Sequence, residues 1–247
     1  MLKDKIDWLV EAWNSTDFVE HKNKKFVYDT PDSGLTDWHH KALADPKHEK
    51  IEKNAKVHAK KISAEESNAV GNYQRASGRF NRPLRKGEEL QTESQDRHRQ
   101  VKHLDRVVKN PLKHDTVVYR GMNKHFKRLP VGSTFHDKGF TGTSLDSGEA
   151  SEFAERDDER RHNIVGRIFL KKGQHGAYIP HSKPKADTEY QEEYQGLDHE
   201  KEFLLPRGMH YKVIGHSLHK DPEAGEITHY VNLEAHHPDE DKTNAKE

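Results

Sequence analysis

The chain has 247 residues, 31% of them hydrophobic and 34% charged, with 42 basic and 42 acidic side chains, so it can build one large domain, or a domain with a helical appendage, around a modest core. It has no cysteine, which excludes a disulfide framework, a thiolate nucleophile and a Cys-based zinc site. There is no apolar run of the roughly 18 residues needed to span a membrane, and the opening MLKDKIDWLVEAWN is too acidic and too poor in apolar residues for a secretory signal, so action inside a cell is expected, natively or after delivery by another route.

In chain order, Ile6, Leu9, Val10 and Trp13 recur at helical spacing and predict an amphipathic helix over residues 3–14. Residues 26–38 are broken by Pro31 and Gly34 and read as a loop. A Lys-rich, weakly apolar helix follows from about Asp45 to Lys61, with the character of a surface element. Ser63 and Glu66 form the capping box S-A-E-E, which opens a helix through Val70 and Tyr73. Another helix spans Thr92 to Val108, with Val101, Leu104, Val107 and Val108 on its buried face. After that the texture changes to short strands separated by Gly/Pro turns: 116–121, 133–145, 164–172, 176–180, 202–206, 211–219 and 227–236. The charged residues from His237 onward have a disordered composition. Helices first and strands after predict an α+β fold whose β region is mainly antiparallel. Three parts follow: an N-terminal helical or loop extension (1–61), a main domain (62–236) and a charged tail (237–247).

Within the β region, HEKEFLLPRG (199–208) reads as the start of a buried strand halted by Pro206 and Gly208. Alternation would put Glu200 and Glu202 on one face, roughly 7 Å apart. A close carboxylate pair suits acid/base work beside a developing positive charge, but the same pattern also describes a solvated strand end with two ordinary glutamates. Arg120, at the end of VVYRG, has a forked head suited to phosphate or carboxylate; it is equally compatible with an exposed strand end. In FTGTSL (140–145) small hydroxyls adjoin glycines, as they do at a site of close ligand approach and in ordinary turns. Residues 75–138 are net basic and residues 139–247 net acidic. That asymmetry can make a positive cleft wall, or neutralise itself across one domain. The basic stretch has no stripe of interleaved aromatics, so nucleic acid is not an expected partner.

Taken in this order, VVYRG, FTGTSL, IVGRIFLKKGQHGAYI, EKEFLLPRGMHYKVIG and FNRPLR (80–85) resemble the ADP-ribosyltransferase exoenzymes of the arginine–serine–glutamate class. That class includes binary-toxin catalytic domains and bacteriophage enzymes that modify host proteins. The resemblance runs from about Ser63 to Val231 and implies helices packed on a split, mainly antiparallel β-sandwich. It implies NAD as co-substrate, with Arg120, Gly121, Asn81, Thr143, Ser144, Phe153 and Arg156 as NAD-binding residues. Glu202, Glu200 and Arg120 become the catalytic residues. Phe153 and Arg156 stand where the family has a loop phenylalanine and a loop arginine; SEFAER also reads as a helical segment with Phe153 in the core. Two positions depart from the pattern. Gly142 replaces the first serine of Ser-Thr-Ser, whose hydroxyl supports the second glutamate, leaving Thr141 or Thr143 to take over. Leu197 stands where relatives place a target-touching aromatic, with Tyr194 nearby.

The implied reaction moves ADP-ribose from NAD to an arginine of a host protein and releases nicotinamide, by a monomeric enzyme acting in the host cytoplasm. The sugar becomes cation-like as its bond to nicotinamide lengthens, as in glycoside hydrolysis. Glu202 is assigned to that charge, Arg120 to the diphosphate and Glu200 to the acceptor. An NAD glycohydrolase and a non-catalytic binding module are the alternatives. The 20 histidines show neither H-E-x-x-H nor another paired-ligand spacing, so no metal is expected.

Overall fold

The structure, a computed structural model, describes residues 34–87, 95–123, 125–154, 156–157, 162–180, 198–220 and 227–238. The helix expected over 3–14, Tyr194 and Leu197, and the tail beyond Pro238 lie outside the described residues.

Five helices precede the strands among these residues: α1 (Asp37–Ala44), α2 (His48–Ala59), α3 (Ala64–Ala76), α4 (Gly78–Lys86) and α5 (Gln95–Val108). The capping box at α3 forms as read: the Ser63 hydroxyl accepts from the Glu66 N–H at 3.2 Å, and the Glu66 carboxylate accepts from the Ser63 N–H at 2.8 Å. The four apolar residues expected on the inner face of α5 are buried.

Two readings are corrected. The loop expected up to residue 38 gives way to α1 at Asp37, because the Thr36 N–H donates to His39 Nδ1 at 3.0 Å. A histidine there does the work that Glu or Gln does in the usual box, so the sequence signal was absent. The Lys-rich helix α2 does not simply lie on the surface: Ile51 and Ala55 enter the main core cluster.

Nine strands follow among the described residues: β1 (Thr116–Gly121), β2 (Thr134–Asp137), β3 (Thr141–Ser144), β4 (Arg156–Asp157), β5 (His162–Leu170), β6 (Ala177–Tyr178), β7 (Glu202–Leu205), β8 (Met209–Lys220) and β9 (Ile227–His236). A sixth helix, α6 (Ser147–Glu152), links β3 to β4. The stretch 133–145, read as one segment, is two strands around a turn. The order is β2-β8-β9-β5-β1-β3-β7-β6, with β4 on β5. All neighbours run antiparallel except β5 and β9.

The split lies between β1 and β3. β1 pairs with β5 over its whole length, and β3 pairs with β7 over four positions. Between β1 and β3, the described residues pair only at Tyr119 and Ser144. Two sheet halves are therefore hinged at one register point, and the strands diverge on either side of it. Two apolar clusters back the sheet. One spans the split, joining Val118, Ile164, Ile168, Val213, Val231 and Leu233 to Tyr178, Phe203 and Leu205 of β6 and β7. Val70, Tyr73, Leu104 and Val108 of α3 and α5 pack on Phe140, Ile179 and Leu204 in the other. Removing this much apolar surface from water at about 25 cal/mol per Å² is the main force holding helices to sheet.

Candidate active site

A cleft opens where the two halves part. It encloses about 630 Å³ of empty space, its open mouth included. One wall is the end of β1, with Tyr119, Arg120 and Gly121. The floor is β3, with Gly142, Thr143 and Ser144. Glu200 and Glu202 enter at the start of β7, Tyr73, Gln74 and Ser77 come from α3 and its end, and Ala150 and Phe153 from α6.

Of the residues picked out in the sequence, Arg120, Gly121, Thr143, Ser144, Phe153, Glu200 and Glu202 meet in this cleft. Arg120 is 3% exposed, and its guanidinium donates to the Gly142 carbonyl. Burial holds its pKa below the usual arginine value, and the nearby Arg85 charge pushes the same way. Such a cation gains from an anionic ligand, which would offset part of its desolvation. Gly121 is required as glycine: a Cβ there would stand 2.4 Å from the Phe153 carbonyl carbon and 2.6 Å from the Ala154 nitrogen. Phe153 caps α6 and is half-buried against the cleft.

The two glutamates share the cleft by a different route from the one strand alternation suggested. Asp198–Glu200 is a 3-10 turn, and Lys201 takes φ 45° before β7 begins at Glu202. This left-handed residue, not a continuous pleat, brings both carboxylates to one place. β3 pins the turn: the Ser144 hydroxyl donates to the Glu200 carbonyl at 2.7 Å, and the Leu145 N–H to the Lys201 carbonyl at 3.1 Å. Lys201 is turned outward, 2.9 Å from Asp146.

The hydroxyls of β3 are engaged in structure. Thr143 donates to the Phe203 carbonyl at 2.5 Å. Thr141 donates to Asp137 at 3.2 Å and accepts from the Tyr211 hydroxyl at 2.8 Å. Neither threonine takes over the serine's place beside Glu202. A Cβ on Gly142 would stand 3.0 Å from Glu202 Oε1, so the glutamate packs against bare backbone. A side-chain donor near it is Gln74, whose Nε2 lies 3.5 Å from Glu202 Oε2.

Asn81 and Arg85 sit behind the cleft. Asn81 is fully buried; its Nδ2 donates to the Phe140 carbonyl at 3.0 Å and to the Tyr73 hydroxyl at 3.1 Å, and its Oδ1 accepts from the Phe140 N–H at 2.8 Å. Its amide thus holds the β2–β3 turn, and it does not line the cleft. Arg85 forms a two-pronged pair with Asp137 at 2.8 and 2.7 Å. Burial opposes its charge, and the Asp137 carboxylate more than offsets that, leaving its pKa above the ordinary arginine value. The backbone of Arg156 lies in β4 opposite Asn163.

Sequence reasoning missed Tyr73, Gln74, Ser77, Tyr119 and Ala150 as cleft residues. A glutamine four residues after Val70 and seven after Ser67 falls on the inner face of α3, and a polar residue on a core stripe is the signal that could have found it. Burial pushes the Tyr73 phenol pKa up, and the Glu202 charge pushes it in the same direction. Among the described residues, no helix is long and apolar enough to cross a membrane, and no three His, Asp or Glu are grouped to hold a metal ion.

The profile of the ADP-ribosyltransferase exoenzyme family matches residues 48–236. A curated relative, the NAD(+)--arginine ADP-ribosyltransferase EFV of Enterococcus faecalis, is 29% identical over 110 residues. That alignment covers 44% of this chain and 20% of the relative, so the chain spans about a fifth of the relative's length. Among solved structures, Plx2a, an ADP-ribosyltransferase toxin from Paenibacillus larvae, superposes with a TM-score of 0.55 at 20% identity, covering 77% of this chain and 96% of the toxin. The Clostridium limosum C3 exoenzyme superposes with a TM-score of 0.52 at 20% identity, covering 83% and 98%.

Proposed function

The chain belongs to the ADP-ribosyltransferase exoenzyme family, and from that we propose that it transfers ADP-ribose from NAD to an arginine side chain of a protein. The observation that carries this reading is the meeting of Arg120, Glu202 and Glu200 in one cleft at the split of the sheet.

Arg120 is the buried cation that anchors the diphosphate, which fixes the ribose before reaction. Gly121, Phe153, Thr143 and Ser144 form the walls around the rest of the dinucleotide. Asn81 acts indirectly, by holding the floor. Glu202 faces the nicotinamide ribose. As the bond from ribose C1 to the nicotinamide nitrogen breaks, its electron pair leaves with nicotinamide and the sugar acquires positive charge. A fixed carboxylate there stabilises that charge without reorganising. An acceptor guanidinium nitrogen then bonds to C1 and loses a proton, which Glu200 takes. Guanidinium pKa values exceed about 12, so a base at the cleft mouth is needed. The arginine acceptor is favoured by a glutamate rather than a glutamine at 200, and by the arginine-directed activity for which the E. faecalis relative is named. Bacterial exoenzymes among the structural neighbours favour a host-cell protein as the target.

Incubation with labelled NAD and a cell lysate, followed by mass spectrometry of the labelled band, tests the proposal. ADP-ribose on arginine is the expected result. Released nicotinamide with no labelled protein would replace transfer by glycohydrolysis, and absence of both would leave a binding module.

A further inference from the structure

Gln74 occupies an unusual position for an uncharged polar residue. It lies on the inner face of α3 beside Tyr73, is 4% exposed, and lines the cleft. Its Nε2 points at Glu202 Oε2 from 3.5 Å, longer than an ordinary hydrogen bond. Its Oε1 is buried and has no hydrogen-bond partner among the described residues. A buried amide with an unused acceptor is costly in a native fold unless a ligand completes it. The amide's orientation follows from charge: reversing it would set carbonyl oxygen against carboxylate. Catalytic contacts that are long without substrate commonly shorten once it is bound.

The β3 backbone leaves room for a helix residue beside Glu202. Glu202 lies against Gly142, which offers it no side-chain donor, and the hydroxyls of Thr141, Thr143 and Ser144 are held by other groups. From across the cleft, α3 brings the Gln74 amide N–H toward that carboxylate.

We propose that Gln74 is a positioning and specificity residue for Glu202. Its amide N–H orients the carboxylate and favours its ionised form, while its carbonyl accepts a hydroxyl of the ligand. If Glu202 takes one hydroxyl of the nicotinamide ribose, the Gln74 carbonyl takes the adjacent one, and the pair reads a vicinal diol. This rests on the ADP-ribosyl transfer reading, and the test separates the two.

NAD hydrolysis is measured for wild type, Gln74→Leu and the double variant Gln74→Leu/Gly142→Ser, with thermal melting of each. The leucine removes the amide without adding a polar group to a buried site. Loss of one hydrogen bond to a charged group predicts a fall in kcat/KM of about tenfold to a hundredfold. The acid limb of the pH profile shifts to higher pH, because the carboxylate has lost a donor. The serine hydroxyl restores part of the rate in the double variant, since the tight 3.0 Å contact is with the mobile end of Glu202. An NAD analogue lacking the nicotinamide-ribose 3-hydroxyl binds wild type about tenfold more weakly than NAD does, and binds Gln74→Leu as well as NAD does. Should Gln74→Leu melt early, Gln74→Met carries the same measurements. Unchanged kcat/KM and pH profile in a folded variant overturn the proposal, as does a loss that Gly142→Ser cannot relieve or equal binding of NAD and the analogue by wild type. Wild type that leaves NAD uncleaved defeats the transferase reading instead.

Discussion

Asp137→Ala tests whether the ion pair behind the cleft holds its floor in place. The Asp137 carboxylate, 4% exposed, accepts from Arg85 Nε and Nη2 at 2.8 and 2.7 Å, from the Gly139 N–H at 2.9 Å and from Thr141 at 3.2 Å. Truncation leaves the guanidinium of Arg85, a residue 6% exposed, facing a small void in place of its counter-charge. Breaking a buried pair from one side costs about 3–5 kcal/mol. At about 2–4 °C per kcal/mol for a chain of this size, the melting midpoint should fall by roughly 6–20 °C. Arg85→Met with Asp137→Leu removes both charges together and should recover most of that loss, because the penalty lies in the stranded cation. Calorimetry on the three variants reads the effect. A midpoint for Asp137→Ala within about 2 °C of wild type would show that water or another group compensates Arg85, and that the pair does not anchor the floor.

Gly121→Ala should raise the KM for NAD sharply while leaving circular dichroism unchanged, because its Cβ would push the Phe153–Ala154 backbone into the cleft; an unaltered KM would show that this segment yields freely. Stability should also fall on acidification. Burial lowers the pKa of His216, whose Nε2 lies 2.7 Å from the Leu129 carbonyl and whose Nδ1 lies 3.0 Å from His229, and burial does the same to His48. The folded state then binds fewer protons than the unfolded state below about pH 6.5, so stability is intact above that pH and is lost as pH drops through the window beneath it. Melting midpoints between pH 8 and 5 check this, and His216→Gln should flatten the acid decline.

Much of the frame is legible in local patterns. The β-branched run Val117–Val118 marks β1, the Ser63–Glu66 box starts α3, and the stripe Val101–Leu104–Val108 seats α5; in each case local propensity and burial agree. The cleft is less legible, because long-range pairing creates it. Nothing local says that β1 and β3 meet only at Tyr119 and Ser144, or that β5 and β9 run parallel. The glutamate pair was found by an alternation that does not operate there, since Lys201 breaks the pleat with positive φ. Asn81 looked like a ligand contact because its motif lies near the site, yet tertiary hydrogen bonds take up its amide. Gln74 reads as one polar residue in a helix until Gly142 and Glu202 are placed opposite it.

The most direct measurement is nicotinamide release and protein labelling by wild type, Glu202→Gln and Glu200→Gln, each checked for folding. If Glu202 faces the ribose cation, its amide variant should lose both cleavage and labelling by about a hundredfold or more. Glu200→Gln should lose labelling and retain cleavage, because proton removal is needed only for the acceptor. Glu202→Gln cleaving NAD at the wild-type rate would contradict the assignment of that carboxylate to the reacting sugar.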